Sequence, residues 1–180
     1  MLPDAEAAVT IGSKLGLPVA SLAVGSDVMV YPDRMPVLWK RLRGTLAQVD
    51  LPVGVSRSIC ARLARTDACR REPLCVYLGR DAEQFRPAQD KMKVRQRLGW
   101  PTDCVVAIYV GGLVETKGIN ELAAACEPLL NKHERLRLVC VGDGPSRNVL
   151  AQLSTRVARR DAVLLPGRVP PGDVPHYLQG

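Results

Sequence analysis

Two glycine-bearing turns are where this sequence could most readily do chemistry. In the first, Val105-Val-Ala-Ile-Tyr-Val-Gly-Gly-Leu-Val-Glu-Thr-Lys-Gly-Ile-Asn-Glu-Leu122, an apolar run ends at Gly111-Gly112 and Lys117-Gly118 opens a helical pattern. Glycines let a backbone approach a ligand closely. The free N–H groups and positive dipole end of a starting helix suit a phosphate, and Lys117 adds a full charge there. The spacing is not that of a P-loop, which requires Gly-x-x-x-x-Gly-Lys-Ser/Thr. The same residues also read as an ordinary strand-to-helix turn with a solvated lysine. In the second turn, Leu138-Val-Cys-Val-Gly-Asp-Gly-Pro-Ser-Arg147, Gly142 and Gly144 clear space at the end of another apolar run. Pro145 fits a first helical turn, where its missing N–H costs nothing. A dinucleotide fingerprint would carry a third glycine where Arg147 stands, so a NAD-type site is disfavoured. A third turn, Val24-Gly25-Ser26-Asp27, offers Asp27 as a hydroxyl ligand or, more simply, as a helix cap.

Other reactive residues suggest less. Arg57, Arg62, Arg65, Arg70 and Arg71 read as a solvated helical face, with anionic lipid as the alternative partner. His133 and His176 have no serine or cysteine elbow and no paired-histidine spacing, so neither a nucleophilic triad nor a metal site is supported. Cys60, Cys69, Cys75, Cys104, Cys126 and Cys140 form no Cys-x-x-Cys pair. Zinc is therefore not expected, and buried free thiols in a reducing compartment are.

The elements that would position these residues follow from composition and pattern. The chain has 180 residues, 47% hydrophobic and 24% charged, which excludes wholesale disorder. Lys and Arg number 25 against 18 Asp and Glu, a formal charge of +7 that favours anionic partners. Aromatic residues are only 4%, which disfavours single-stranded nucleic acid because such binders stack bases on aromatic rings. No apolar run approaches the roughly 18 residues of a membrane span. The first residues lack a basic flank followed by an apolar core, so no leader and a cytoplasmic location are expected.

Strands are predicted at 19–24, 52–55, 74–77, 105–110, 136–141 and 163–165. Helices are predicted at 4–15, 36–48, 57–65, 91–98, 119–130, 146–158 and from 172. The strands are near-continuous apolar runs, which predicts burial on both faces of a parallel α/β sheet. Residues 79–93 are poor in apolar side chains and contain Phe85-Arg86-Pro87, so a linker is expected there. The expected halves, 1–88 and 89–180, each hold three strands in an incomplete Rossmann-like domain with its own half-sheet.

Taken in order, Arg97-Leu98-Gly99-Trp100-Pro101, Tyr109 to Gly118, Leu138 to Pro145, Val163 to Val169 and Val174-Pro175-His176-Tyr177-Leu178 resemble the family-four, group 1 nucleotide-sugar-dependent glycosyltransferases of the B-type fold. Gly25-Ser26-Asp27, Val55-Ser56 and Leu78 to Pro87 resemble the end of that family's N-terminal, acceptor-side domain. The resemblance implies retaining transfer from a nucleotide-diphosphate sugar to a glycan or lipid-linked acceptor, with no metal or other cofactor. It implies a sugar nucleotide bound between two domains. Lys117 would contact the diphosphate, Gly144 would let the backbone pass the nucleotide, and Arg168 and Val169 would frame the base, with Gly111, Gly112 and Gly142 also in the nucleotide-sugar-binding set. Gly25, Ser26 and Asp27 would lie on the N-domain side.

The sequence also departs from the family. Arginine is common where Gly112 stands, His or Arg where Val24 stands, and Asn where Leu78 stands. The family's first strands and its Glu-x7-Glu segment fall outside the chain, which implies a piece of a longer enzyme, inactive alone, with the inner membrane face as an expected peripheral location. The rivals are a non-catalytic nucleotide-binding module and a sugar-nucleotide epimerase of the same fold.

Overall fold

The computed structural model describes residues 2–180 and divides between Arg80 and Asp81 into two compact units. This break lies ahead of the one expected at residue 88; the Gln179 side chain, for example, donates to Arg86 O at 2.8 Å within the second unit. Each unit carries its own three-stranded parallel sheet.

The first unit runs α1 (Asp4–Leu15), β1 (Ala20–Ala23), α2 (Ser26–Met29), α3 (Tyr31–Arg34), α4 (Pro36–Leu46), β2 (Leu51–Gly54), α5 (Arg57–Ala64) and β3 (Leu74–Cys75). α5 starts where the Ser56 hydroxyl accepts the Ile59 amide at 3.3 Å. Apolar residues at helical spacing then face inward: Leu42 and Leu46 from α4 and Ile59 and Leu63 from α5 pack with Ala23 and Val28. Fully burying such a leucine contributes about 2 kcal/mol.

Strands of this sheet are not buried on both faces as predicted. Ser21, Ala23, Pro52 and Gly54 are buried, whereas Leu22 and Leu74 remain 45% and 49% exposed. The helical layer built by α2, α4 and α5 covers the first set only. α2 and α3 were not foreseen, because four-residue helices are too short to show a period.

The second unit runs α6 (Lys91–Leu98), β4 (Val105–Val110), α7 (Ile119–Lys132), β5 (Leu136–Val141), α8 (Arg147–Arg156), β6 (Val163–Gly167) and α9 (Val174–Gln179). β5 is central, and here both faces are covered as predicted. Leu138 and Cys140 pack with Ile119 and Leu130 of α7 and Leu150 and Leu153 of α8. Val139 and Val141 turn the other way, towards Trp100 and Tyr177, whose rings meet edge-on at 6.0 Å.

Arg95 was not foreseen as a core residue, yet it is only 5% exposed. Its guanidinium donates to the carbonyls of Cys104 at 2.8 Å, Thr102 at 3.0 Å and Gly180 at 2.7 Å. It thereby ties α6 to the approach to β4 and to the end of α9. All six cysteines are free, but only Cys104, Cys126 and Cys140 are buried. Cys60, Cys69 and Cys75 are half-buried, which corrects the expectation of six interior thiols.

Candidate functional site

The candidate site begins where three strands of the second unit end side by side. Gly111 N donates to Val141 O at 2.9 Å, and Leu113 N donates to Asp143 O at 3.0 Å. Ser146 N returns a bond to Leu113 O at 2.9 Å, and Gly142 N donates to Gly167 O at 2.9 Å. The loops after β4, β5 and β6 are thus laced to one another through backbone. Gly111, Gly112, Gly142, Gly144, Arg168 and Val169 all lie along this carboxyl edge.

The lacing gives the glycines of the second turn a reason that the sequence did not reveal. Gly142 has φ 140°, and a Cβ there would overlap Gly111 O and lie 2.9 Å from its carbonyl carbon. Gly144 has φ 155°, and its Cβ would overlap Leu113 O. Both lie where L side chains are strained. The space that these two glycines clear is therefore filled by the neighbouring loop. The Gly144 amide is also already engaged, donating to the Asp143 carboxylate at 2.8 Å. Gly112 differs, because a Cβ there would meet nothing within 4 Å. Its carbonyl accepts the Tyr109 hydroxyl at 2.9 Å.

Lys117 lies in a 3-10 turn, Glu115–Lys117, directly before Gly118, the residue that caps α7. Gly118 takes φ 72°, which ends the turn and starts the helix. Leu113 and Ile119 are fully buried on either side of this turn. The lysine itself is exposed, so two apolar anchors fix the backbone from which it extends. After Gly167, Arg168 is exposed while Val169 packs against the Trp100, Val139 and Val141 cluster.

Gly25, Ser26 and Asp27 follow the end of β1 in the first unit. The Asp27 carboxylate accepts the Gly25 amide at 2.8 Å and faces the Val24 amide at 3.5 Å, so it braces its own turn. It also lines a cavity of about 240 Å³ with Leu2, Pro3, Leu38 and Arg41. Val24 is 55% exposed. Among the described residues, no group of three or more His, Cys, Asp or Glu side chains could hold a metal ion, and no helix is long and apolar enough to cross a membrane.

Known proteins resemble this chain in both sequence and fold. TuaC of Bacillus subtilis, a glycosyltransferase named for teichuronic acid biosynthesis, is 30% identical over 178 residues, which is 98% of this chain and 42% of TuaC. The D-inositol 3-phosphate glycosyltransferase of Streptomyces bingchenggensis is 36% identical over 80 residues, 43% of this chain and 18% of that protein. The structure of Anabaena HepE in complex with UDP superposes with a TM-score of 0.78 at 18% identity, covering 97% of this chain and 48% of HepE. Sucrose-phosphate synthase of Thermosynechococcus elongatus superposes with a TM-score of 0.68 at 18% identity, over 98% of this chain and 51% of that one. The chain thus spans about half the length, or less, of these proteins, with the two-sheet architecture of B-type glycosyltransferases. Residues 90–180, which hold the laced loops and Lys117, match the family described as glycosyl transferases group 1, and the chain belongs to that family.

Proposed function

We propose that the chain carries the donor side of a retaining glycosyltransferase that uses a nucleotide-diphosphate sugar. The observation that carries this reading is the lacing of three loops at the carboxyl edge of the β4-β5-β6 sheet, inside the residues that match the family. Open parallel sheets bind ligands at this edge, and HepE, of the same fold, was solved with UDP.

Lys117 would hold the diphosphate, helped by the positive end of α7. Gly111, Gly112, Gly142 and Gly144 would keep the backbone close to the nucleotide, and Arg168 and Val169 would frame its base. Negative charge building on the departing diphosphate would meet a fixed cation and fixed dipoles, which is electrostatic stabilisation of the transition state. Transfer of this kind requires no metal or other cofactor.

The residues up to Arg80 would then form the later part of the acceptor-side domain and those from Asp81 the earlier part of the donor-side domain. Gly25, Ser26 and Asp27 would serve the acceptor side. The name of TuaC supports a glycan or lipid-linked acceptor, and the charge of +7 suits a peripheral position at the inner membrane face.

Calorimetric titration with UDP, ADP and GDP tests the binding reading. One diphosphate should bind, and Lys117→Ala should weaken it about tenfold, the loss of one partly screened charge-assisted contact of about 1.4 kcal/mol. No binding of any of the three, or equal affinity in the variant, would sink the reading.

A second reading, a nucleotide-binding module without catalysis, is favoured by the uncharged, open Gly112 and the exposed Val24. Turnover separates the two. Full-length protein should release nucleotide from its donor, and the 180-residue chain alone should not. Lys117-dependent release by the chain alone would refute its incompleteness.

A further inference from the structure

Cys60 and Cys75 belong to no part of the nucleotide edge, yet the fold brings them together in the first unit. Cys60 lies on α5, and Cys75 ends β3. Cys75 stands in register with Gly54 of β2. In-register partners of a parallel ladder turn their side chains to the same face, about 4.8 Å apart. Gly54 has no side chain, and a Cβ there would sit 2.7 Å from Cys60 Sγ. The Cys60 sulfur therefore fills the place beside Cys75 that a Gly54 side chain would take. It lies 3.8 Å from Gly54 O. Disulfide formation requires Cβ atoms about 3.5–4.5 Å apart, and the Gly54 register brings both cysteines to one face of the sheet beside the same backbone position.

We infer that Cys60 and Cys75 are a paired-thiol modification site, which a peroxide converts to an internal disulfide. Both residues are half-buried, so a small oxidant reaches them. Burial raises the Cys60 thiol, and its hydrogen bond with Cys75 raises it further. Cys60 thus keeps its proton, and Cys75 is the attacking sulfur. The Cys75 sulfur gives up its proton and attacks one oxygen of hydrogen peroxide, and the O–O bond breaks. Cys75 is oxidised to a sulfenic acid, and the departing hydroxide takes up a proton to become water. The Cys60 sulfur then displaces the sulfenic oxygen. An S–S bond forms, the S–O bond breaks, and a second water leaves with the Cys60 proton. Two thiols and one peroxide give one disulfide and two waters. The bond ties α5 to the last strand before the division at Arg80.

The other thiols differ. Cys69 Sγ donates to Leu63 O at 3.6 Å. Cys126 and Cys140 also lie near each other, but both are buried, and burial followed by the nearby Cys126 pushes the Cys140 thiol up to about 12.

Hydrogen peroxide treatment of the 180-residue chain, followed by trypsin without reduction, tests the pairing. Peptides 58–62 and 72–80 should appear linked, with a mass two hydrogens below their sum. Phenylarsine oxide, which closes a ring on two neighbouring thiols, should bind the untreated chain and block the link. Cys60→Ser and Cys75→Ser should each lose both results, and Cys69→Ser should keep both. The proposal is overturned by a Cys126–Cys140 link in place of this one, by oxidation to sulfinic acid with no link, or by phenylarsine oxide binding that survives in both pair variants.

Discussion

Replacing Gly142 by alanine tests whether the nucleotide edge is held by backbone lacing. The added Cβ would overlap Gly111 O and lie 2.9 Å from its carbonyl carbon, at a residue with φ 140°. Neither neighbour is a flexible side-chain tip, so the loops after β4 and β5 must part. Parting them strains two bonds of the lacing, Gly111 N to Val141 O and Leu113 N to Asp143 O. Each such bond contributes about 1 kcal/mol, and a side chain in this region of φ adds about 1–3 kcal/mol of strain. The expected loss is about 3–5 kcal/mol, a large share of the roughly 5–15 kcal/mol that holds a typical domain together. Urea unfolding followed by circular dichroism reads it out. With a slope of about 2 kcal/mol per molar, the midpoint should fall by about 2 M. Gly112→Ala is the control. Nothing lies within 4 Å of its Cβ and its φ lies outside the region that L side chains rarely adopt, so the change should stay within about 0.5 kcal/mol. The reasoning fails if Gly142→Ala unfolds within about 1 kcal/mol of the parent, or if Gly112→Ala is equally damaging.

Gly112→Arg should be accommodated in the same open space and should tighten nucleoside-diphosphate binding about tenfold through one added charge-assisted contact; unchanged affinity by calorimetry would place Gly112 away from the phosphates. Arg95→Leu should destabilise the second unit by about 3 kcal/mol, because the carbonyls of Thr102 and Cys104 lose a buried charged donor; a urea midpoint equal to the parent's would show that those carbonyls find other partners. Asp90 accepts the Lys93 amide at 3.1 Å, and that bond holds its carboxyl below the usual range despite an opposing desolvation effect. Because the folded pKa is the lower one, the cap contributes fully above the unfolded value of about 3.9 and is lost as pH falls through the folded value. The protection of the first-turn amides of α6, taken relative to their intrinsic exchange rates, should therefore fall in acid, and Asp90→Ala should remove that dependence.

Much of the local structure could be read from residue order. The matching bounds of α1, α6, β4 and β5 follow from periodicity and punctuation: Gly16 and Gly99 end their helices in left-handed conformations, as only glycine does readily. The order of turns around Gly111-Gly112, Lys117-Gly118 and Gly142-Asp143-Gly144 was enough to suggest both the family and the edge on which a nucleotide would sit. Residue type and spacing along the chain carry that information, because turn chemistry is local.

Other features depended on partners distant in sequence. Leu22 and Leu74 have the character of two-sided burial, but whether a helix covers them is decided by where α4 and α5 pack. Arg95 lies in a strongly charged helix and carries no sign that four backbone carbonyls, Pro101 O among them, would enclose it. Cys60 and Cys75 are 15 positions apart and meet because β2 and β3 pair in register with a glycine between them. Gly142 and Gly144 looked like room made for a ligand, whereas the first occupant of that room is the loop carrying Gly111 and Leu113. Periodicity and capping act within a few residues and could be read in advance; burial, lacing and thiol pairing are contacts between segments, so they came into view only once the chain had folded on itself.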